Sequence, residues 1–156
     1  MIKYSFTCKS NQWPPRLKKI DMRLKKIMKF KDDLHFKKNI DYDCNLILTN
    51  DKLIKKMNFK FRKVNKSTDV LTFVFNVNTN MKKPKKICDI FLSAETILKD
   101  SKINKTNFYD HLSHIIVHSF LHINGFVHKK INDFVKMKKE EIKVLKKLSI
   151  SNPYLL

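Results

Sequence analysis

Five of the six histidines in this chain, His111, His114, His118, His122 and His128, fall within eighteen residues, and the only glycine, Gly125, lies among them. The last three are spaced H-x3-H-x5-H. Residues four apart on a helix share a face, one turn above each other. His118 and His122 can therefore aim two imidazole nitrogens at one ion, at the roughly 2.0–2.1 Å that zinc–nitrogen bonds require. A third ligand further along the same axis would be carried out of reach, so the helix must stop and the chain must swing back. Glycine takes the left-handed conformation that ends helices without a Cβ penalty. Gly125 is placed for that turn, and His128 for closing the site behind it. Three imidazoles with a position left for water form the donor set of a catalytic zinc, whereas structural zinc is usually enclosed by four ligands rich in Cys. The competing reading makes these histidines hydrogen-bonded core residues. Three at ligand spacing around a single glycine favour the metal.

His114 precedes His118 by one turn and shares its face. It lies about 12 Å from His122 along the axis, at 1.5 Å per residue, so the two cannot both serve one ion. His114 reads as a residue behind the ligands or as a contact for an anionic substrate, and His111 as a surface residue of the helix's first turn. The spacing also occurs in metzincin proteases, as H-E-x-x-H-x-x-G-x-x-H. There the Glu after the first His is the general base. Here that position is Ser119, whose hydroxyl cannot replace it. The ligand set fits and the peptide-cleaving chemistry does not.

The surrounding chain has to hold such a site rigidly. Its 156 residues suggest one domain with a real core, spanning residues 1–156. Lys and Arg number 34 against 14 Asp and Glu, a formal net charge of +20. Such a surface favours polyanions, nucleic acid first and a membrane surface second, although part of the lysine excess is what an A+T-rich coding bias would produce. Only Arg16, Arg23 and Arg62 are arginines, so the charge supplies general attraction rather than bidentate recognition. Cys8, Cys44 and Cys88 are an odd, scattered set, which points to reduced thiols in a cytosol-like compartment. No apolar run approaches the roughly 18 residues of a membrane span, and the first residues have no signal-peptide core. There is no internal repeat and no long linker.

Hydrophobic periodicity gives the elements. Ile2 to Cys8 reads as a strand, Trp13-Pro14-Pro15 as a break, and Leu17 to Leu34 as an amphipathic surface helix. The lysine stripe of that helix is either an RNA contact or simply its solvated face. Asp43 to Thr49 reads as a buried strand, with Thr49 and Asn50 as N-cap candidates for a helix running from Leu53 to Arg62. Asn65-Lys66-Ser67 is a turn. Val70 to Val77 is a strand with Leu71, Phe73, Phe75 and Val77 on one face, residues 78–86 an exposed loop, and Ile87 to Ser93 a strand antiparallel to its predecessor. Asp89 inside that strand either supports a nearby histidine or arginine, or faces water at an edge. Ala94 to Lys99 reads as a short helical turn. The histidine helix begins after Asn104 or Thr106 and is apolar on most sides, which makes it the central, buried helix. A lysine-rich terminal helix follows, marked by Val135, Ile142, Leu145 and Leu148, with Glu140 and Glu141 inside it.

Several segments agree with one family. His118 to His128 resembles the H-G-x-L-H-L-x-G-Y-D-H signature of the YbeY family of rRNA maturation factors. Residues 65–73, Asn-Lys-Ser-Thr-Asp-Val-Leu-Thr-Phe, resemble its K-x-T-D-V-L-S-F segment, and Met57-Asn58 with Phe61-Arg62 its L-N-x-x-Y-R. Asp89 to Ser93 is similar to its G-D-I-x-I-S strand, and Met137 with Glu140-Glu141-Ile142 to its terminal helix. The match runs in order over residues 43–148. It implies an α+β fold, a mixed sheet of about four strands with helices packed around it and the histidines on a central buried helix. It also implies a single-strand-specific, metal-dependent endoribonuclease acting in 16S rRNA 3′-end maturation and ribosome quality control in the cytoplasm. Its partners would be single-stranded rRNA of the small subunit, the ribosome and ribosome-assembly factors, with no membrane. By matching positions, His118, His122 and His128 would hold one Zn2+ per chain, Arg62 would be the functional arginine, and His114 matches a histidine often seen one turn earlier.

Zinc so held would activate a bound water and polarise a phosphoryl oxygen. Arg62 can donate two hydrogen bonds to phosphate, and His114 is the candidate general base; attack by water and attack by the 2′-OH both fit. The chain departs from the family pattern at four positions. Ser119 and Cys88 replace glycines, Phe126 replaces tyrosine, and Val127 replaces an aspartate that could orient a ligand or hold a proton. Ser119 and Val127 keep an alternative open, a non-catalytic, zinc-stabilised ribosome-biogenesis or RNA-binding factor. A metallohydrolase of another substrate class is the third reading, and the missing Glu at position 119 argues against peptides.

Overall fold

The computed structural model describes residues 1–77 and 82–155. In chain order it contains β1 (Ile2–Cys8), α1 (Leu17–Met28), β2 (Asp41–Thr49), α2 (Asp51–Arg62), β3 (Val70–Val77), β4 (Lys85–Ser93), α3 (Ala94–Ile103), α4 (Phe108–Ile123) and α5 (Ile131–Lys147), with a 3-10 turn at Pro14–Arg16. The strands form one mixed sheet in the order β1-β2-β4-β3. β2 is parallel to both β1 and β4, and β3 runs antiparallel to β4. This is the α+β fold with a mixed four-stranded sheet that the resemblance implied. The chain divides into a sheet unit, Met1–Arg16 with Lys37–Lys99, and a helical unit, Leu17–Phe36 with Asp100–Leu156.

In the sheet unit, alternation along the two inner strands buries one face. Cys44, Leu46 and Leu48 of β2 lie in register with Cys88, Ile90 and Leu92 of β4, all buried, and Tyr42 is buried at the start of the same face. The same register sets Cys44 beside Cys88, so two free thiols far apart in sequence become neighbours. Asp89 sits on an inner strand, and its partner is the Asn45 amide, which donates to it at 2.8 Å. Neither reading drawn from the sequence, a histidine or arginine partner or an edge facing water, anticipated a neighbouring amide. Trp13, read only as part of a break, is fully buried and donates its indole N–H to the Thr49 carbonyl at 2.7 Å. Asn50 is the N-cap of α2, accepting from the Leu53 amide at 3.0 Å. α2 packs on the sheet through Phe61 against Phe73, ring centroids 5.2 Å apart.

Several boundaries differ from the sequence reading. α1 ends at Met28, not Leu34. Asp32 and Asp33 would put negative charge at the helix's negative end, and His35, at φ 63°, turns the chain while Leu34 and Phe36 stay buried. α3 is a ten-residue helix rather than a turn ending at Lys99, anchored by buried Ala94, Ile97 and Ser101. β4 begins at Lys85, so the expected loop 78–86 is shorter; its residues 78–81 lie outside the described residues.

In the helical unit, α4 packs against α1 and α5. α1 contributes buried Ile20, Leu24 and Ile27, and Arg23 pairs with Asp110 of α4 at 2.5 Å. α4 is buried at nine of its sixteen positions, as expected of a helix apolar on most sides. Asn107 caps it by accepting from the Tyr109 amide at 2.8 Å. α5 turns inward through Met137, Glu141, Val144 and Leu145, not through Val135, which is exposed. Among the described residues no helix is long and apolar enough to cross a membrane.

Candidate metal centre

The helix stop forms as the glycine suggested. The Gly125 amide donates to the His122 carbonyl at 3.1 Å, and the Phe126 amide reaches back to Leu121 at 3.0 Å. This is the pair of bonds of a Schellman turn, and it requires the left-handed residue that Gly125 supplies at φ 97°. Past the turn, His128 swings back to the last turns of α4. The ring centroids of His118 and His122 are 4.4 Å apart, and His128 lies 5.4 Å from His118 and 4.8 Å from His122. One nitrogen from each ring falls within 4.8 Å of the others. His118 and His122 are half-buried and His128 is exposed, so the cluster opens to solvent on the His128 side.

The other nitrogens of two rings are already engaged. His122 donates from Nδ1 to the Phe126 carbonyl at 2.8 Å, a bond that exists only because the turn folds Phe126 back. Burial, then the neighbouring His118, lowers the pKa of His122 to about 4, so the ring is neutral near pH 7, the form that can act as a ligand. His118 makes a short hydrogen bond from Nδ1 to Glu141 of α5. In both rings this leaves Nε2 to face the cluster.

Glu141 is fully buried. Burial pushes its carboxyl up, but hydrogen bonds from His114, His118 and Tyr154 outweigh that and hold it at about 2. An ionised carboxylate can only accept, so His118 Nδ1, His114 Nε2 (3.2 Å) and the Tyr154 hydroxyl all donate to it. The sequence reading gave Glu141 only a place in the terminal helix and its family match, with no role at the site, and did not name Tyr154. A signal existed for Glu141: it sits at the i, i+4, i+7, i+8 positions of Met137, Glu141, Val144 and Leu145, a carboxylate inside an apolar stripe. Tyr154 had none, lying in an irregular tail beyond α5.

The sixth histidine also reaches this region. His35 packs its ring at a tilt against Phe126, centroids 4.9 Å apart, and bonds to Glu140 at 2.9 Å, while Asn124 donates to the Leu34 carbonyl at 2.8 Å. The segment before β2 thus braces the turn. His114 and half-buried His111 line a cleft of about 510 Å³ with Asn107, Asp110 and Tyr154, so His111 is more than a surface residue. Ser119 is buried and donates to the Ile115 carbonyl one turn back at 3.0 Å. Val127 is 44 % exposed. Arg62 ends α2, exposed, in the sheet unit, whereas the five clustered histidines belong to the helical unit.

Three convergent imidazoles, two of them with their outer nitrogens held, and an open side fit a divalent ion with affinity for nitrogen donors. Comparison with known proteins bears on what such a centre would serve. The family model described as Endoribonuclease YbeY matches residues 5–149. A protein named Endoribonuclease YbeY from Pelagibacter ubique is 36% identical over 141 residues, covering 90% of this chain and 92% of that protein. One of the same name from Bartonella quintana is 31% identical over 155 residues, covering 99% of this chain and 98% of that protein. A Thermotoga maritima protein solved in solution matches with a TM-score of 0.53 at 22% identity, over 96% of this chain and 92% of that one, a likeness of fold.

Proposed function

The chain belongs to the endoribonuclease YbeY family, and from that premise we propose that it is a zinc-dependent endoribonuclease cutting single-stranded rRNA of the small subunit near its 3′ end. The observation that carries the metal half of this reading is the convergence of three imidazole nitrogens within 4.8 Å. His118, His122 and His128 would hold the ion. Held there, zinc would supply Lewis acidity and a water whose pKa is lowered toward neutrality.

The chain's own residues do the rest. The Phe126 carbonyl fixes the ring of His122, and Glu141 that of His118. Exposed Arg62 is proposed as the phosphate contact, since its fork can donate two hydrogen bonds to phosphate oxygens. The lysine surface would gather the RNA backbone, with affinity that falls steeply as salt rises. Of the roles considered for His114, general base, contact for an anionic substrate or residue behind the ligands, its bond to Glu141 favours the last. We take residues 1–156 as one functional domain, a reading supported by a family model that spans both units, working in the cytoplasm with the ribosome and its assembly factors. The second reading, a non-catalytic RNA-binding factor, is favoured by Val127, an exposed valine beside the third ligand where the family resemblance expects a carboxylate.

The test is cleavage of a single-stranded rRNA 3′ fragment with and without chelator, beside bound metal measured by elemental mass spectrometry on untagged protein. About one zinc per chain and chelator-sensitive cleavage, lost in Arg62→Lys with zinc retained, is the expected result. Stoichiometric zinc without cleavage would select the binding factor, and folded protein without metal would overturn both.

A further inference from the structure

The buried carboxylate on α5 has no access to substrate. The Glu141 side chain is 1 % exposed, so it cannot touch RNA, and Oε1 is committed to His118. Stability alone does not explain it. A buried charge is costly to desolvate, and an apolar residue of similar volume often does as well or better. Its neighbours on the stripe, Met137, Val144 and Leu145, are of that kind. The three donors around it instead form a directed chain. Oε2 takes the Tyr154 hydroxyl and His114 Nε2, and Oε1 takes the outer nitrogen of His118.

Tyr154 is itself clamped. Its amide is held by the Asn152 side chain at 2.9 Å. Its ring contacts His114 at 5.7 Å and Phe134 at 6.4 Å, with the Lys138 ammonium 4.6 Å from its centre. The residues after α5 are thus folded so that one phenol reaches the carboxylate behind a candidate ligand. A hydrogen-bonded carboxylate fixes an imidazole's tautomer and ring orientation and strengthens it as a donor.

We infer that Glu141 is the positioning residue for ligand His118, and that Tyr154, delivered by the C-terminal tail, sets Glu141 in place together with His114. This rests on the reading of His118, His122 and His128 as metal ligands. The role is exercised through His118, at a distance from RNA.

The experiment measures zinc affinity by competition with a chromogenic chelator, on the full chain and on Glu141→Gln, Tyr154→Phe and the double variant, with circular dichroism as the check on folding. Glu141→Gln is expected to weaken zinc binding about 10–100-fold. Tyr154→Phe keeps the ring and its contacts, and should weaken binding several-fold by removing one of the two donors that hold Oε2 of the carboxylate. Because the phenol acts only through Glu141, the double variant should bind zinc no more weakly than Glu141→Gln alone. A merely structural tyrosine would lower the unfolding midpoint and leave zinc affinity unchanged; that result, or additive losses in the double variant, would overturn the inference. Should Glu141→Gln fail to fold, Tyr154→Phe alone decides, since parental zinc affinity in that variant refutes the chain. Parent protein that binds no zinc would instead defeat the metal reading itself, an outcome distinct from parent binding with unaffected variants.

Discussion

Replacing Gly125 by alanine separates backbone strain from crowding. A Cβ at this position would meet nothing within 4 Å, while φ is 97°, so the whole cost is conformational. Holding an L-residue in the left-handed region costs about 1–2 kcal/mol. Restricting the unfolded chain by removing a glycine returns about 0.4–1 kcal/mol where the native backbone allows it. A net loss of about 1 kcal/mol remains, and it can surface in two places. If the turn keeps its shape, the metal-free protein loses that stability, which moves a urea midpoint down by roughly 0.5 M at a typical slope. If the turn relaxes to negative φ, the bonds from Gly125 to His122 and from Phe126 to Leu121 are lost, the Phe126 carbonyl leaves His122, and His128 is misplaced. Zinc affinity then falls about five-fold for each kcal/mol. Urea unfolding of metal-free protein and chelator competition, run on the parent, Gly125→Ala and Gly125→Asn, read both channels. Asparagine tolerates positive φ better than alanine and should be intermediate. An alanine variant equal to the parent in both midpoint and zinc affinity would refute the reasoning.

Trp13→Phe leaves the buried Thr49 carbonyl without its indole donor and should cost about 1–3 kcal/mol from that bond alone; calorimetry should show a midpoint lower by several degrees, and an unchanged midpoint would sink the assignment. Asp33 accepts from Lys147 at 2.8 Å and pairs with Lys143 at 3.3 Å; the Lys147 hydrogen bond, against burial and with Lys143 adding, holds its carboxyl below the ordinary 3.8. A depressed carboxyl stabilises the fold above the unfolded value and loses that contribution as pH falls through the folded one. Asp33→Asn should therefore cost roughly 0.5–1 kcal/mol at neutral pH, since the lysines are solvent-exposed, and converge on the parent in urea unfolding as pH falls below the carboxyl's lowered folded value; a gap that persists in strong acid would contradict it.

The histidine cluster was legible because it obeys local rules. His118 and His122 share a helix face, Gly125 ends that helix and His128 follows within a few residues, so spacing alone implied what the geometry places together. Alternation marked the strands at Ile2–Cys8 and Val70–Val77 and apolar runs the two inner ones, also local signals, and the family resemblance implied the mixed sheet. Where local signals competed, the reading slipped. Leu34 continued an apolar rhythm without belonging to the helix. Asp89 was visibly out of place in a strand, but its Asn45 partner lay on a strand it meets only through pairing.

Tertiary structure alone decided what stands behind the clustered imidazoles. His35, Glu141 and Tyr154 come from segments well separated from the histidine turn, and Cys44 meets Cys88 only by register. The physical reason is one of range. Helix periodicity and turn chemistry act over a few residues and leave a mark in sequence order. A buried carboxylate finds its donors through the packing of whole elements, and a sequence records that packing only as a residue whose polarity does not suit its stripe.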